Sequence, residues 1–230
     1  MNPKKIIKQE IQGWKTWEKV WLIIAVFSVF ILSLYSNNNM ISIIAAITGI
    51  ISVICSGKGK LSGFGFGVIN AIVYAYIAYN TRYYGEMLLN LFYYLPLQFY
   101  GFYIWSQHIN PQTKEVIKTS MNKQNRLIVL IIAIVTTIIY GVILSNFGDS
   151  YPFLDSFCSV LSVITMILAI KRFMEQWILW IGVNSSRILL WILASLNNIN
   201  NIAILLMSIV YLINSIIMFI KWKNEIDLLD

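Results

Sequence analysis

The sequence predicts an all-α integral membrane protein of about eight transmembrane helices, and three observations predict it. Of the 230 residues, 58% are hydrophobic and only 12% are charged, whereas a soluble domain averages about 45–50% apolar and about 25% charged. Polar breaks divide the chain into apolar runs close to the ~20 residues needed to cross a bilayer. The basic residues fall almost entirely in alternate gaps between those runs, as topology determinants do.

The runs follow in order. The basic lead MNPKKIIKQEIQGWKTWEKV is read as a cytoplasmic amphipathic segment before a retained first helix at roughly 19–36. That apolar run ends in SNNN without a small-x-small cleavage site, which argues against a removed signal peptide. Further helices are predicted at roughly 40–56, 61–80 and 84–105, separated by GKGK and NTRYYG. After the long polar stretch SQHINPQTKEVIKTSMNKQN come roughly 126–146, 153–170, 174–196 and 201–222, broken by NFGDSYP, KRFMEQ and NNINN. With a cytoplasmic N-terminus, the inside segments hold 15 of the 17 Lys and Arg. The outside loops hold Arg82, and Arg187 lies within a helix. Both termini are therefore expected to be cytoplasmic.

The chain also repeats. Displaced by 114 residues, Lys58 falls on Arg172, Phe66 on Trp180 and Asn70 on Asn184; displaced by 117, Tyr94 falls on Tyr211 and Trp105 on Trp222. Helices 2–4 thus match helices 6–8, and the single helix separating them gives both triplets the same orientation. This predicts a parallel 3+1+3 repeat with an extra N-terminal helix. The expected parts are a lead and extra helix (1–39), a first triplet (40–106), a loop and linker helix (107–152), a second triplet (153–222) and a tail (223–230). Substrate sites in such folds lie near the membrane midplane, at the meeting of the repeats.

Several function classes fall away. The net charge of +7 is not gathered onto one face of a domain, so no nucleic-acid partner is expected. Cys55 and Cys158 lie alone in apolar runs and read as small buried hydrophobes. One histidine, His108, with two isolated cysteines cannot assemble a usual metal site. No metal, no cofactor and no enzymatic activity are expected, since no nucleophile elbow, P-loop or H-E-x-x-H pattern occurs. None of the ten acids sits at mid-membrane; Glu86, Asp149, Asp155 and Glu175 lie at helix ends. Ion-coupled carriers keep ionisable groups in the span, so the pattern favours an uncoupled facilitator.

Polar residues inside the runs point to a ligand. At about 100° per residue, Trp177, Trp180, Asn184, Arg187 and Trp191 fall within an arc of roughly 80° on the seventh helix. Asn90, Tyr94, Gln98, Gly101 and Trp105 share a similar arc of roughly 80° on the fourth. Gly63, Phe66, Asn70 and Tyr74 group on the third. A buried amide without partners costs on the order of 1–3 kcal/mol, and more in hydrocarbon. Arginine at the bilayer centre costs at least roughly 2.5–3.5 kcal/mol. Such stripes must meet protein or water. Rings beside amides suit a flat, polar, aromatic ligand, and a cationic ring gains roughly 0.5–2 kcal/mol per good cation–π contact. Other roles compete: Trp105, Trp177 and Trp191 lie where interfacial tryptophans sit. Asn70 and Asn184 are suited to interhelical hydrogen bonds, and Arg187 to pairing with an acid or snorkelling outward.

The stretch GFGFGVINAIVYAYIAYNTRYYGEMLLNLFYYLPLQFYGFYIW and the later WILWIGVNSSRILLW resemble the PnuC family of bacterial nicotinamide riboside transporters. The similarity covers nearly the whole chain. It implies a core akin to the SWEET sugar carriers, a homotrimer in the bacterial cytoplasmic membrane, and facilitated diffusion of an unphosphorylated vitamin trapped inside by a kinase. It further implies that Trp177, Trp180 and Asn184 hold the aromatic base. Asn90, Tyr93, Tyr94 and Gln98 would contribute the opposite wall and meet the ribose hydroxyls, and Pro96 would supply a bend for alternating access. Phe66, Asn70, Trp191 and Arg187 complete the candidate set, with the role of Arg187 open. Thiamine or a deoxynucleoside is the alternative cargo within this fold. A vitamin-binding subunit of an ATP-driven importer is the alternative of another class.

Overall fold

The computed structural model describes residues 10–35, 40–80, 82, 84–195 and 202–227. They form two compact units, Met1–Ile117 and Lys118–Asp230. In the first unit α1 (Thr16–Tyr35) packs on α2 (Met40–Lys58), and α2 on α3 (Ser62–Asn80). The fourth crossing is composite: α4 (Tyr84–Leu89), a π-helical turn (Asn90–Tyr94) and α5 (Leu95–Ser106), all against α3. In the second unit α6 (Lys123–Asn146), α7 (Pro152–Ile170), α8 (Glu175–Ser195) and α9 (Ile202–Asp227) pack each on the next. The described residues thus form eight helical crossings. Five of them, α1, α2, α3, α6 and α7, are each long and apolar enough to span a membrane by length and composition.

The helix ends have local causes. Helix α1 begins earlier than its apolar run because Glu18, in its first turn, reaches back to accept the Lys15 backbone N–H at 2.8 Å, half of a capping box. Helix α6 begins at Lys123 because the Asn122 side chain accepts the Asn125 N–H at 2.8 Å. Helix α9 extends past its apolar run to Asp227, where Glu225 pairs with Lys118 and Ile226 is buried.

Close approach between helices relies on small residues, as expected where lipid supplies no hydrophobic drive between them. A Cβ on Gly63 would lie 2.3 Å from Ser56 Oγ, and Ser52 donates to the Gly63 carbonyl at 2.7 Å. In the second unit a Cβ on Gly141 would lie 2.4 Å from the Phe153 ring, and Ser156 donates to the Thr137 carbonyl at 2.7 Å. Outward faces are apolar: Leu127, Ile131, Ile134 and Ile138 of α6 are all exposed, and such a face belongs in hydrocarbon.

One helix in each unit closes in the same way. Helix α2 ends on Gly59 at φ 85°, with Lys60 N–H returning to the Cys55 carbonyl at 2.9 Å. Helix α7 ends on Arg172 at φ 64°, with Phe173 N–H returning to Leu168 at 3.0 Å. Both are Schellman closures, one with the expected glycine and one with arginine in a left-handed conformation that glycine adopts without cost. Each unit also buries one edge-to-face aromatic pair: Phe64–Trp105 at 4.9 Å and Trp177–Trp222 at 5.7 Å. Gly59 to Arg172 and Phe64 to Trp177 are both displacements of 113 residues, one fewer than the 114 that aligns Asn70 with Asn184. At the turn the structural register is therefore one residue shorter than the sequence match.

The polar stretch after α5 is not a free loop. Ile117 N–H bonds the His108 carbonyl and Asn110 N–H bonds the Glu115 carbonyl, both at 2.8 Å, making a small hairpin. Val116 N–H then bonds Gly59 O at 2.9 Å. In the second unit Thr119 N–H bonds Arg172 O at 3.0 Å, and Met174 N–H bonds Thr119 O at 2.8 Å. The linker thus satisfies, in each unit, the carbonyl that the left-handed turn exposes.

Candidate functional site

The fourth crossing departs from the regular helix assumed above. Leu95 N–H bonds the Asn90 carbonyl, the i→i−5 pattern of a π turn, while the flanking Leu89 and Leu95 keep right-handed helical dihedrals. The cause is Pro96. It has no N–H for the Phe92 carbonyl four residues back, and its ring would clash there. Widening the preceding turn relieves the clash without ending the helix, and single π turns of this kind recur at functional sites. The turn contains three of the candidates: Asn90 is 7% exposed, and Tyr93 and Tyr94 are half-buried with rings edge to face at 5.1 Å. Pro96 itself is exposed.

A π turn adds a residue to the turn, so Asn90 is out of the simple α-helical arc with Gln98, Gly101 and Trp105. The last three keep theirs and face α3. The Gln98 amide occupies the space where Gly67 lacks a side chain: a Cβ there would lie 2.4 Å from Gln98 Oε1. Gly101 leaves room in the same way for the Phe64 ring, which meets Trp105. Trp105 is 1% exposed and belongs to the core. Phe66 and Asn70 are half-buried on α3. Asn70 Nδ2 donates to the Ala45 carbonyl of α2 at 2.6 Å, the interhelical tie that its position allowed.

In the second unit the start of α8 is fixed by charge. Glu175 is buried in the first turn, accepts the Met121 N–H at 3.1 Å and pairs with Arg126 at 2.7 Å. A carboxylate there also complements the helix dipole. Two residues on, Trp177 is 2% exposed, packed edge to face on Trp222. Lys118 lies 5.6 Å from the Trp222 ring centroid and pairs with Glu225. Trp177 is therefore a core ring in this conformation. Trp180 is half-buried against the cluster of Ala133, Leu161 and Val183. Asn184 is buried, and its Nδ2 donates to Ser215 Oγ of α9 at 3.0 Å. Its bond runs to the following helix, whereas that of Asn70 runs to the preceding one, so the two asparagines are not equivalent. Arg187 is exposed on α8, within Coulombic range of Asp155 on α7. The Trp191 side chain lies outside the described residues.

The structure thus places Asn90, Tyr93, Tyr94, Gln98, Phe66 and Asn70 in one unit, and Trp177, Trp180, Asn184 and Arg187 in the other. Gly67 and Ser215, which shape or orient the candidates, were not singled out by the sequence, and Tyr211 stood out there only as the match of Tyr94. The bond joining Asn184 to Ser215 crosses 31 residues, a separation no local pattern reports.

Known proteins match this chain closely. A profile of the nicotinamide mononucleotide transporter family covers residues 39–224. A nicotinamide riboside transporter PnuC of Neisseria mucosa is 37% identical over 217 residues, covering 92% of this chain and 82% of that protein. A nicotinamide riboside transporter PnuC of Haemophilus influenzae is 32% identical over 221 residues, covering 95% of each. A crystal structure of the vitamin B3 transporter PnuC superposes with a TM-score of 0.80 at 35% identity, covering 97% of both chains.

Proposed function

The chain belongs to the nicotinamide mononucleotide transporter family, and on that premise we propose that it carries nicotinamide riboside across a bacterial cytoplasmic membrane. The observation that carries this reading is the similarity, at 37% and 32% identity over more than nine-tenths of the chain, to two proteins named nicotinamide riboside transporters. The side chains suit the cargo. Nicotinamide riboside is a pyridinium cation bearing a carboxamide, joined to ribose. Trp180 offers a ring face, and a cation over indole gains roughly 0.5–2 kcal/mol. Asn184 offers an amide to the carboxamide. Asn90, Tyr93, Tyr94 and Gln98 offer hydroxyls and amides to the ribose. Trp177, one turn before Trp180 on the same helix, packs on Trp222.

Transport proceeds by facilitated diffusion with alternating access, and phosphorylation inside the cell traps the product. The π turn at Asn90–Tyr94 is the natural point of bending, since its backbone already departs from the α-helical ladder. The protein assembles as a homotrimer with both termini cytoplasmic, in line with the bias of its basic residues. Calorimetric titration of the purified protein tests the reading. Binding of nicotinamide riboside without a thiamine signal is the expected result. Thiamine binding alone would leave the fold and overturn the cargo.

A further inference from the structure

We infer that Ser215 is a positioning residue that fixes which end of the Asn184 amide meets the cargo, and so selects a carboxamide ring over its carboxylate analogue. The inference rests on the riboside reading above and adds a residue and a selectivity to it.

Asn184 on α8 and Ser215 on α9 are 4% and 2% exposed. Asn184 Nδ2 lies 3.0 Å from Ser215 Oγ, and Ser215 Oγ lies 2.8 Å from the Tyr211 carbonyl, one helical turn back. The direction of these bonds follows from counting protons. A carbonyl can only accept, so the single hydroxyl proton of Ser215 goes to Tyr211. Toward Asn184 the hydroxyl then presents only a lone pair. Only the NH₂ end of the amide can face a lone pair, so the orientation is set by the hydrogen-bond chain rather than by the near-identical shapes of oxygen and nitrogen.

With the nitrogen held, the Asn184 carbonyl oxygen occupies the opposite fork of the amide plane. It takes part in no hydrogen bond between described residues. The amide therefore presents an acceptor on the helix that also carries Trp180. An acceptor is matched by a ligand donor. The carboxamide NH₂ of nicotinamide riboside supplies one. In the carboxylate analogue both oxygens carry lone pairs and negative charge, and a site whose polar partner is left unmatched rejects such an analogue strongly. Were the amide free to turn, its NH₂ would meet the acid and much of that discrimination would vanish.

The test compares binding of nicotinamide riboside with that of its carboxylate analogue by calorimetry, for wild type, Ser215→Ala and Ser215→Thr. Ser215→Ala removes the acceptor that holds the amide. Threonine keeps the hydroxyl and also back-bonds to the carbonyl a turn earlier. The expected result is that Ser215→Ala weakens riboside binding by roughly 5–10-fold, the worth of one hydrogen bond. The riboside-to-acid preference should shrink several-fold, and Ser215→Thr should restore it. A preference unchanged in Ser215→Ala, with both affinities falling together or neither falling, would show that Ser215 only packs and would overturn the inference. Should Ser215→Ala fail to assemble, Ser215→Cys, similar in size but a weak acceptor, carries the same expectation. A wild-type protein that binds neither compound overturns the riboside reading itself, and is thereby distinct from a preference that Ser215 does not control.

Discussion

Lys58→Met removes the ammonium that joins three separate parts of the first unit. Lys58, at the end of α2, lies 2.7 Å from Glu18 of α1 and 2.8 Å from Glu115 of the linker hairpin, and all three side chains are buried or nearly so, at 3%, 2% and 11% exposure. A buried pair stripped of one partner loses about 3–5 kcal/mol, because the remaining charge has neither water nor counter-ion. Two carboxylates lose the Lys58 ammonium here. Lys60 still lies within Coulombic range of both, however, and Glu18 keeps its bond to the Lys15 N–H at 2.8 Å. Both effects hold the loss near the lower figure, ~3 kcal/mol. At about 2–4 °C per kcal/mol for a chain of this size, the melting temperature should fall by roughly 6–12 °C. Tryptophan fluorescence on heating in detergent measures it. Adding Glu18→Gln to Lys58→Met removes one of the two buried charges that lost Lys58 and should recover part of the loss. A fall below about 2 °C, or no recovery in the double variant, would refute the claim that this ion cluster fastens the linker to α1 and α2.

Three further outcomes separate packing from binding. Gly101→Ala places a methyl 2.2 Å from the Phe64 ring; the ring cannot yield without breaking its contact with Trp105, so thermal unfolding should report a loss of about 1–3 kcal/mol. Gly67→Ala presses only on the flexible end of Gln98, so stability should hold within about 1 kcal/mol while calorimetry shows riboside binding weakened about tenfold. Trp180→Ala should lose far more uptake than Trp21→Ala, which lies outside the candidate faces; equal losses would break the site assignment. Burial holds the Lys60 ammonium, which donates to the Lys114 carbonyl at 2.9 Å, below its ordinary value of 10.5. The unfolded chain then binds more protons than the folded one, so this group's contribution to stability rises with pH and levels off above 10.5. Chemical denaturation from neutral pH upward should show that rise in wild type relative to Lys60→Met, and a flat difference would remove the assignment.

The helical crossings were legible because membrane spans announce themselves by composition, and the basic gaps marked their order. What the sequence could not report was local geometry that breaks no composition rule. NLFYYLP has the apolar content of an ordinary helix, and only Pro96 signals that a carbonyl four residues back must lose its donor. The linker stretch has no periodicity, so its docking on Gly59 and Arg172 depends on carbonyls that only the folded turns expose. Trp177 shows the limit of a helical arc. Sharing a face with Trp180 and Asn184 does not tell which neighbour covers a ring, and Trp222 covers this one. Asn70 and Asn184 match in sequence and each makes an interhelical hydrogen bond, but one bonds the preceding helix and the other the following helix, a choice that sequence spacing does not report.

The most direct measurement is uptake of labelled nicotinamide riboside into vesicles reconstituted with the purified protein and nothing else. Saturable, protein-dependent entry that stops when inside and outside concentrations are equal, and that persists when the proton gradient is collapsed, is the predicted result. Entry no faster than into protein-free vesicles would contradict transport of this cargo.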